Sequence, residues 1–189
     1  DSSLRIQYKI ADASDVAAGS FSFTSTNSGI HAGTILRITG NRSTGFIGVS
    51  EADTSSGTTI SFTGSSTPTV DNCLVLMMIS GLKTNNGTGT VGSYTSTPSM
   101  TWTELYDTST ETGGDIDNIS GFAWANMATA AEITAYGATL SLDKAQVCGA
   151  IATFYPNVDA TGSNTLVTTT TTSFSNSGTA NAIATTALA

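Results

Sequence analysis

The chain has 189 residues, a formal net charge of −8 and a hydrophobic content of 39 %, so a core is affordable. Only 11 % of its residues are charged, less than half the roughly 25 % usual in globular proteins. The basic residues Arg5, Lys9, Arg37, Arg42, Lys83 and Lys144 are scattered, which excludes the cationic cluster that phosphate neutralisation or anionic lipid attraction requires; neither nucleic acid nor a membrane is expected as a partner.

In chain order, Leu4, Ile6, Tyr8 and Ile10 alternate with polar residues and predict a half-buried strand. Asp12–Gly19 links it to a second strand carrying Phe21 and Phe23, and Thr34–Thr39 predicts a third. Residues 40–45 (GNRSTG) are a turn cluster. Phe46, Ile47 and Val49 start a short strand, Asp53–Gly57 is turn-rich, and Thr59, Ile60 and Phe62 form another strand. Gly64–Asp71 predicts a loop around Pro68.

Cys73–Ile79 (CLVLMMI) is the longest apolar run. It is far short of the roughly 18 residues of a membrane helix and predicts a strand buried on both faces. Thr84–Thr97 predicts a long exposed loop, Trp102 and Leu105 frame a short strand, and Asp107–Asn118 predicts an acidic loop. Phe122–Met127, Ala138–Leu142 and Val147–Tyr155 are the closing strands, with one helical turn predicted over Ala128–Ala135. Pro156 ends the last of them. The period-two pattern places Leu76, Met78, Trp124, Leu140, Leu142, Ile151 and Phe154 in the core.

Short strands separated by frequent turn signals predict an all-β antiparallel β-sandwich of jelly-roll-like form. Ser and Thr, about a third of the chain, keep its surface polar without charge. The arm over 157–189 is rich in Thr, Ser and Ala, and its Thr165–Phe174 stretch (TLVTTTTTSF) has high β-propensity and no charge. It has too little apolar surface to fold alone. Two readings of it stand: a strand for a sheet edge, through Leu166, Val167 and Phe174, or a disordered linker.

Residues 6–38 and 122–154 share a pattern. Tyr8 falls near Trp124, and Ile10, Ala11, Ala13, Asp15 and Val16 fall on Met127, Ala128, Ala130, Glu132 and Ile133. Phe21 and Phe23 fall on Leu140 and Leu142, and Ala32-Gly33 on Cys148-Gly149. A fixed internal repeat is the signature of tandem architecture. The second copy is preceded by strand-like sequence that the first lacks, so the chain is expected to open inside its first repeat. Expected units are 1–45, a partial first repeat; 46–156, a second repeat; and 157–189, the arm.

At Tyr8–Thr24 (YKIADASDVAAGSFSFT) the chain resembles the tandem β-sandwich repeats of tailed-phage virion structural proteins, found in tails, fibres and head decorations. The matching features are Tyr8-Lys9-Ile10-Ala11, Asp15, Phe21/Phe23 and Ala32-Gly33-Thr34-Ile35. In the second half they are Asp71–Leu76, Pro98 to Glu104, and Cys148-Gly149-Ala150-Ile151 to Tyr155-Pro156. Val16 stands where those repeats usually carry Pro, and the arm after Pro156 lies outside the pattern. The resemblance implies a structural role and brings no catalytic residues with it.

Residue chemistry adds little. His31 is the only histidine, and no Gly-x-Ser-x-Gly nucleophile pattern accompanies it. Glu104 and Glu132 lie near Trp102 and Trp124 in sequence, a weak glycosidase pattern; the two tryptophans could instead stack on a surface glycan. Asp115, Asp117 and Asn118 offer oxygen ligands for Ca²⁺ without the order of an EF-hand loop. Cys73 and Cys148 fall within predicted strands and are read as free thiols, an oxidised pair being the alternative; two cysteines cannot complete a four-ligand zinc site. No cofactor is expected. The expected protein is a non-enzymatic structural subunit on a virion surface, pairing strands with copies of itself and other virion subunits. A secreted subunit of a bacterial or archaeal extracellular filament, assembled by strand donation, is the alternative, and a carbohydrate-binding module the third.

Overall fold

The computed structural model of the protein describes residues 9–10, 12–14, 29–39, 41–53, 57–83, 88–109, 117–156 and 165–176. Within them the chain is an all-β antiparallel sandwich. Its strands are β1 (Gly29–Thr39), β2 (Asn41–Asp53), β3 (Gly57–Phe62), β4 (Cys73–Lys83), β5 (Val91–Thr97), β6 (Thr103–Ser109), β7 (Asp117–Met127), β8 (Ala135–Pro156) and β9 (Thr165–Asn176). Strands β2 to β8 make a seven-stranded sheet with the central order β2-β8-β4-β7-β6, and β1 and β9 pair as a separate two-stranded ribbon.

The organising element is β8, at 22 residues the longest strand. Its first half pairs with β3 and β5, through Ala138 opposite Ile60 and Leu140 opposite Val91. Its second half pairs with β2 and β4, through Ile151 opposite Val49 and Met77. One strand thus serves both layers, which is how sandwich corners are made when a strand changes sheets.

The apolar run in β4 follows from that arrangement. Cys73, Val75, Met77 and Ile79 face the core between the layers, with Ile60, Phe62, Val91, Tyr136, Ala138, Leu140 and Ile151. Leu74, Leu76 and Met78 face the other way, into a second cluster with Phe122, Ala150 and Ala152. Both faces are covered, so the strand shows no alternation. Each fully buried Leu, Ile or Met side chain contributes roughly 1.5–3 kcal/mol, so β4, buried from Cys73 to Ile79, is a major apolar contribution to the fold.

Of the expected core residues, Leu76, Met78, Leu140 and Ile151 are buried, while Trp124 and Phe154 are half-buried against the second cluster and Leu142 is half-buried. Four local expectations are corrected. The turn cluster over 40–45 gives way to strand from Asn41 onward, because β2 runs on to Pro156 of β8; the register between Asn41 and Phe46 is irregular, which accommodates the turn-forming residues. A continuous strand therefore crosses position 45. The loop expected over Thr84–Thr97 contains β5, formed because β8 supplies it with a ladder and a buried seat for Val91. Strand residues likewise replace both ends of the acidic loop, as Asp107–Ser109 in β6 and Asp117–Asn118 in β7. The helical turn expected over Ala128–Ala135 is instead an extended link, held by mutual backbone hydrogen bonds between Ser66 and Ile133.

Leu4, Ile6, Tyr8, Phe21 and Phe23 lie outside the described residues, and so does most of the first copy of the repeat. Ile10, expected to point inward, is 59 % exposed.

Candidate assembly site

β1 and β9 are the elements that the seven-stranded sheet does not absorb. β9 pairs with β1 from Gly29 opposite Asn176 to Thr39 opposite Thr165. Leu36 and Ile38 of β1 pack on the cluster built by Leu74, Leu76, Met78 and Phe122, so the ribbon lies over the sheet face that the main core leaves open. β1 approaches β7, and β9 approaches β6.

The covalent connections meet at one end of the ribbon. Position 40 alone separates β1 from β2, and 157–164 separate β8 from β9. Thr39 opposes Thr165 on one side of this junction, and Asn41 opposes Pro156 on the other. The strand pairing that ends at Asn41 and Pro156 in the sheet is thus taken up again at Thr39 and Thr165 in the ribbon.

The expected assembly residues all fall in this ladder: Leu166 opposite Ile38, Val167 opposite Arg37, and Phe174 opposite His31. His31 is thus a ladder position of β1.

The two tryptophans lie on opposite sides of the sheet. Trp102 packs against the inter-layer core and donates its Nε1–H to Ser96 Oγ at 3.2 Å, whose own hydroxyl donates to the Pro98 carbonyl. Trp124 packs in the second cluster, opposite Leu76 and Thr103. They do not form one stacking platform.

Glu104 sits on β6 and Glu132 beside Ile133 in the link between β7 and β8. The carboxylate that acts on Glu104 is Asp107: partial burial and then the Asp107 charge raise the Glu104 pKa. Asp107 Oδ2 accepts the Val91 N–H at 3.1 Å, and Ser109 Oγ accepts the Gly89 N–H at 2.9 Å. Side chains of β6 thereby tie the neighbouring chain of β5 across the open side of the sandwich. Tyr94 of β5 has a buried hydroxyl without a hydrogen-bond partner, and its pKa is pushed up by burial, then by Glu104 and Asp107. Sequence inspection missed this group because β5 had no visible strand pattern.

Asp115 lies outside the described residues. Asp117 opposes Lys83 at the start of β7, and Asn118 Oδ1 accepts the Ser120 hydroxyl at 2.9 Å. Among the described residues no three His, Cys, Asp or Glu side chains gather to hold a metal.

Cys73 and Cys148 are not joined in a disulfide. Cys73 Sγ donates to the Val70 carbonyl at 2.9 Å and Cys148 Sγ to the Ser80 carbonyl at 3.2 Å. Cys148 opposes Ser80, seven positions along β4 from Cys73. At about 3.3 Å per residue this separates them by roughly 23 Å, three times the Cα distance a disulfide spans.

No family model, curated protein or solved structure matches the chain.

Proposed function

We propose that this chain is a non-enzymatic structural subunit of a virion surface, and that copies join by placing β9 of one on β1 of the next. One observation carries the proposal: β9, a twelve-residue strand, lies outside the seven-stranded sheet and, among the described residues, pairs with β1 alone. The bonds that hold it are backbone bonds of a ladder, and a second copy offers the identical ladder, so exchange between copies costs no contact. The link 157–164, extended, reaches about 30 Å, enough to pass from one copy to a neighbour. The resemblance to virion repeats supplies the setting.

Deletion of residues 160–189 tests the proposal. The truncated protein is expected to keep a cooperative unfolding transition and to lose assembly. Assembly at the full-length level would overturn strand exchange by this arm. Electron microscopy of the native particle separates a capsid or tail from a free extracellular filament, which the same strand pairing would serve.

A further inference from the structure

The strands at the margins of the two sheets differ in how they guard their unpaired backbone edges. Sheet edges are templates for another chain unless shortness, charge, proline, a bulge or a cover blunts them. β3 is six residues long. β2 carries Arg42, Glu51 and Asp53. β5 is broken by Ser93 at a φ of 48° with a register shift, and lends its Val91 N–H to Asp107. β6 carries Glu104 and Asp107 and is approached by β9. β1 carries His31 and Arg37 as well as Gly29 and Gly33.

β9 has none of the compositional guards. Its sequence, TLVTTTTTSFSN, contains no Asp, Glu, Lys, Arg, Pro or Gly over twelve residues. Its single irregularity is Thr170, which lacks a partner on β1 and divides the ladder into the regular runs Thr165–Thr169 and Thr171–Asn176. An uncharged run of high β-propensity without Pro or Gly is the composition that stacks readily on copies of itself. One edge of β9 is used by β1; β9 also approaches β6, but among the described residues no strand is hydrogen-bonded to its second edge.

We infer that this second edge of β9 pairs antiparallel with the same edge of β9 in another copy, joining two ribbons into a four-stranded sheet, β1-β9-β9-β1. Antiparallel pairing of one strand with its own copy is two-fold symmetric and closes on itself, and with no charge on either strand no like-charge repulsion opposes it. The inference rests on the reading of the arm as an assembly element and adds its second contact. β9 then meets two neighbours, β1 on one edge and a second β9 on the other, and a chain with two such contacts propagates.

The test places two positive charges on the strand, at register positions other than those opposite the packed Leu36 and Ile38. Thr169 and Thr172 oppose Ile35 and Gly33, positions that alternate with the packed Leu36 and Ile38. Full-length Thr169→Lys/Thr172→Lys and the control Thr169→Ser/Thr172→Ser are compared with the parent by sedimentation velocity across a concentration series. Retention of the β1–β9 ladder is checked in each by disulfide formation between Arg37→Cys and Val167→Cys, which are opposed in it. The parent and the Ser control are expected to self-associate, and the Lys variant to do so at least tenfold more weakly with the ladder disulfide intact. Equal association of the Lys variant and the parent overturns the β9–β9 contact and leaves exchange onto β1 standing. A parent that stays monomeric overturns both.

Discussion

At the scale of single residues, three positions carry predictions. Gly149 lies against the Phe62 ring, and an added Cβ would collide with the ring carbons. Phe62 in turn stacks at 5.0 Å on Tyr136, whose hydroxyl donates to the Gly149 carbonyl at 3.3 Å. Gly149→Ala must displace that pair and is expected to cost about 1–3 kcal/mol, as overpacking does; chemical denaturation reads it. Thr153 is fully buried with an unpartnered hydroxyl. Replacing it by the isosteric valine removes an unmet polar group, and Thr153→Val is expected to stabilise the fold by about 1–2 kcal/mol on the same assay. Glu104 has its pKa raised in the folded state by burial and by Asp107. The folded protein therefore binds that proton more tightly than the unfolded chain, so this residue's cost falls as pH drops through its folded pKa. Glu104→Gln is expected to raise Tm slightly at neutral pH. The difference should vanish below the ordinary glutamate pKa of about 4.3, and a pH-independent difference would contradict the assignment.

At the scale of elements, legibility followed burial. β4 was readable because an apolar run bounded by turn residues has few other interpretations, and Cys73 to Ile79 is buried throughout. Leu76→Ala is expected to cost about 2–5 kcal/mol; an unchanged Tm would refute the two-sided packing of β4. β5 was not readable, since GSYTST has only one large side chain, Tyr94, and its pairing is set by β8 rather than by its own propensity. The continuity of β8 was hidden for a related reason. Asp143 and Lys144 read as a break between two strands, yet the chain passes through them while changing partners from β3 and β5 to β2 and β4. The 40–45 segment failed in the opposite sense, because a strand with an irregular register tolerates Gly, Asn and Ser.

At the scale of the whole molecule, the protein is a sandwich with one added layer. β4, β7 and the second half of β8 form its middle, with β3 and β5 on one face and the β1–β9 ribbon on the other. The strand potential of the arm was visible in its uncharged Thr-rich run. That its partner is β1, some 130 residues earlier by the register of Thr39 with Thr165 and Ile38 with Leu166, was not visible, because ladder pairing over such distances leaves no local pattern. Exchange of β9 between copies is the central claim, and mixed cross-linking tests it most directly. One preparation carries Arg37→Cys and another Val167→Cys, both in a Cys148→Ala background that removes the half-buried native thiol. The two are unfolded together, refolded, assembled and oxidised. Strand exchange predicts a disulfide-linked heterodimer joining the two variants. If assembly proceeds and the disulfide forms only when both cysteines sit in the same chain, β9 stays on its own β1 and the claim is wrong.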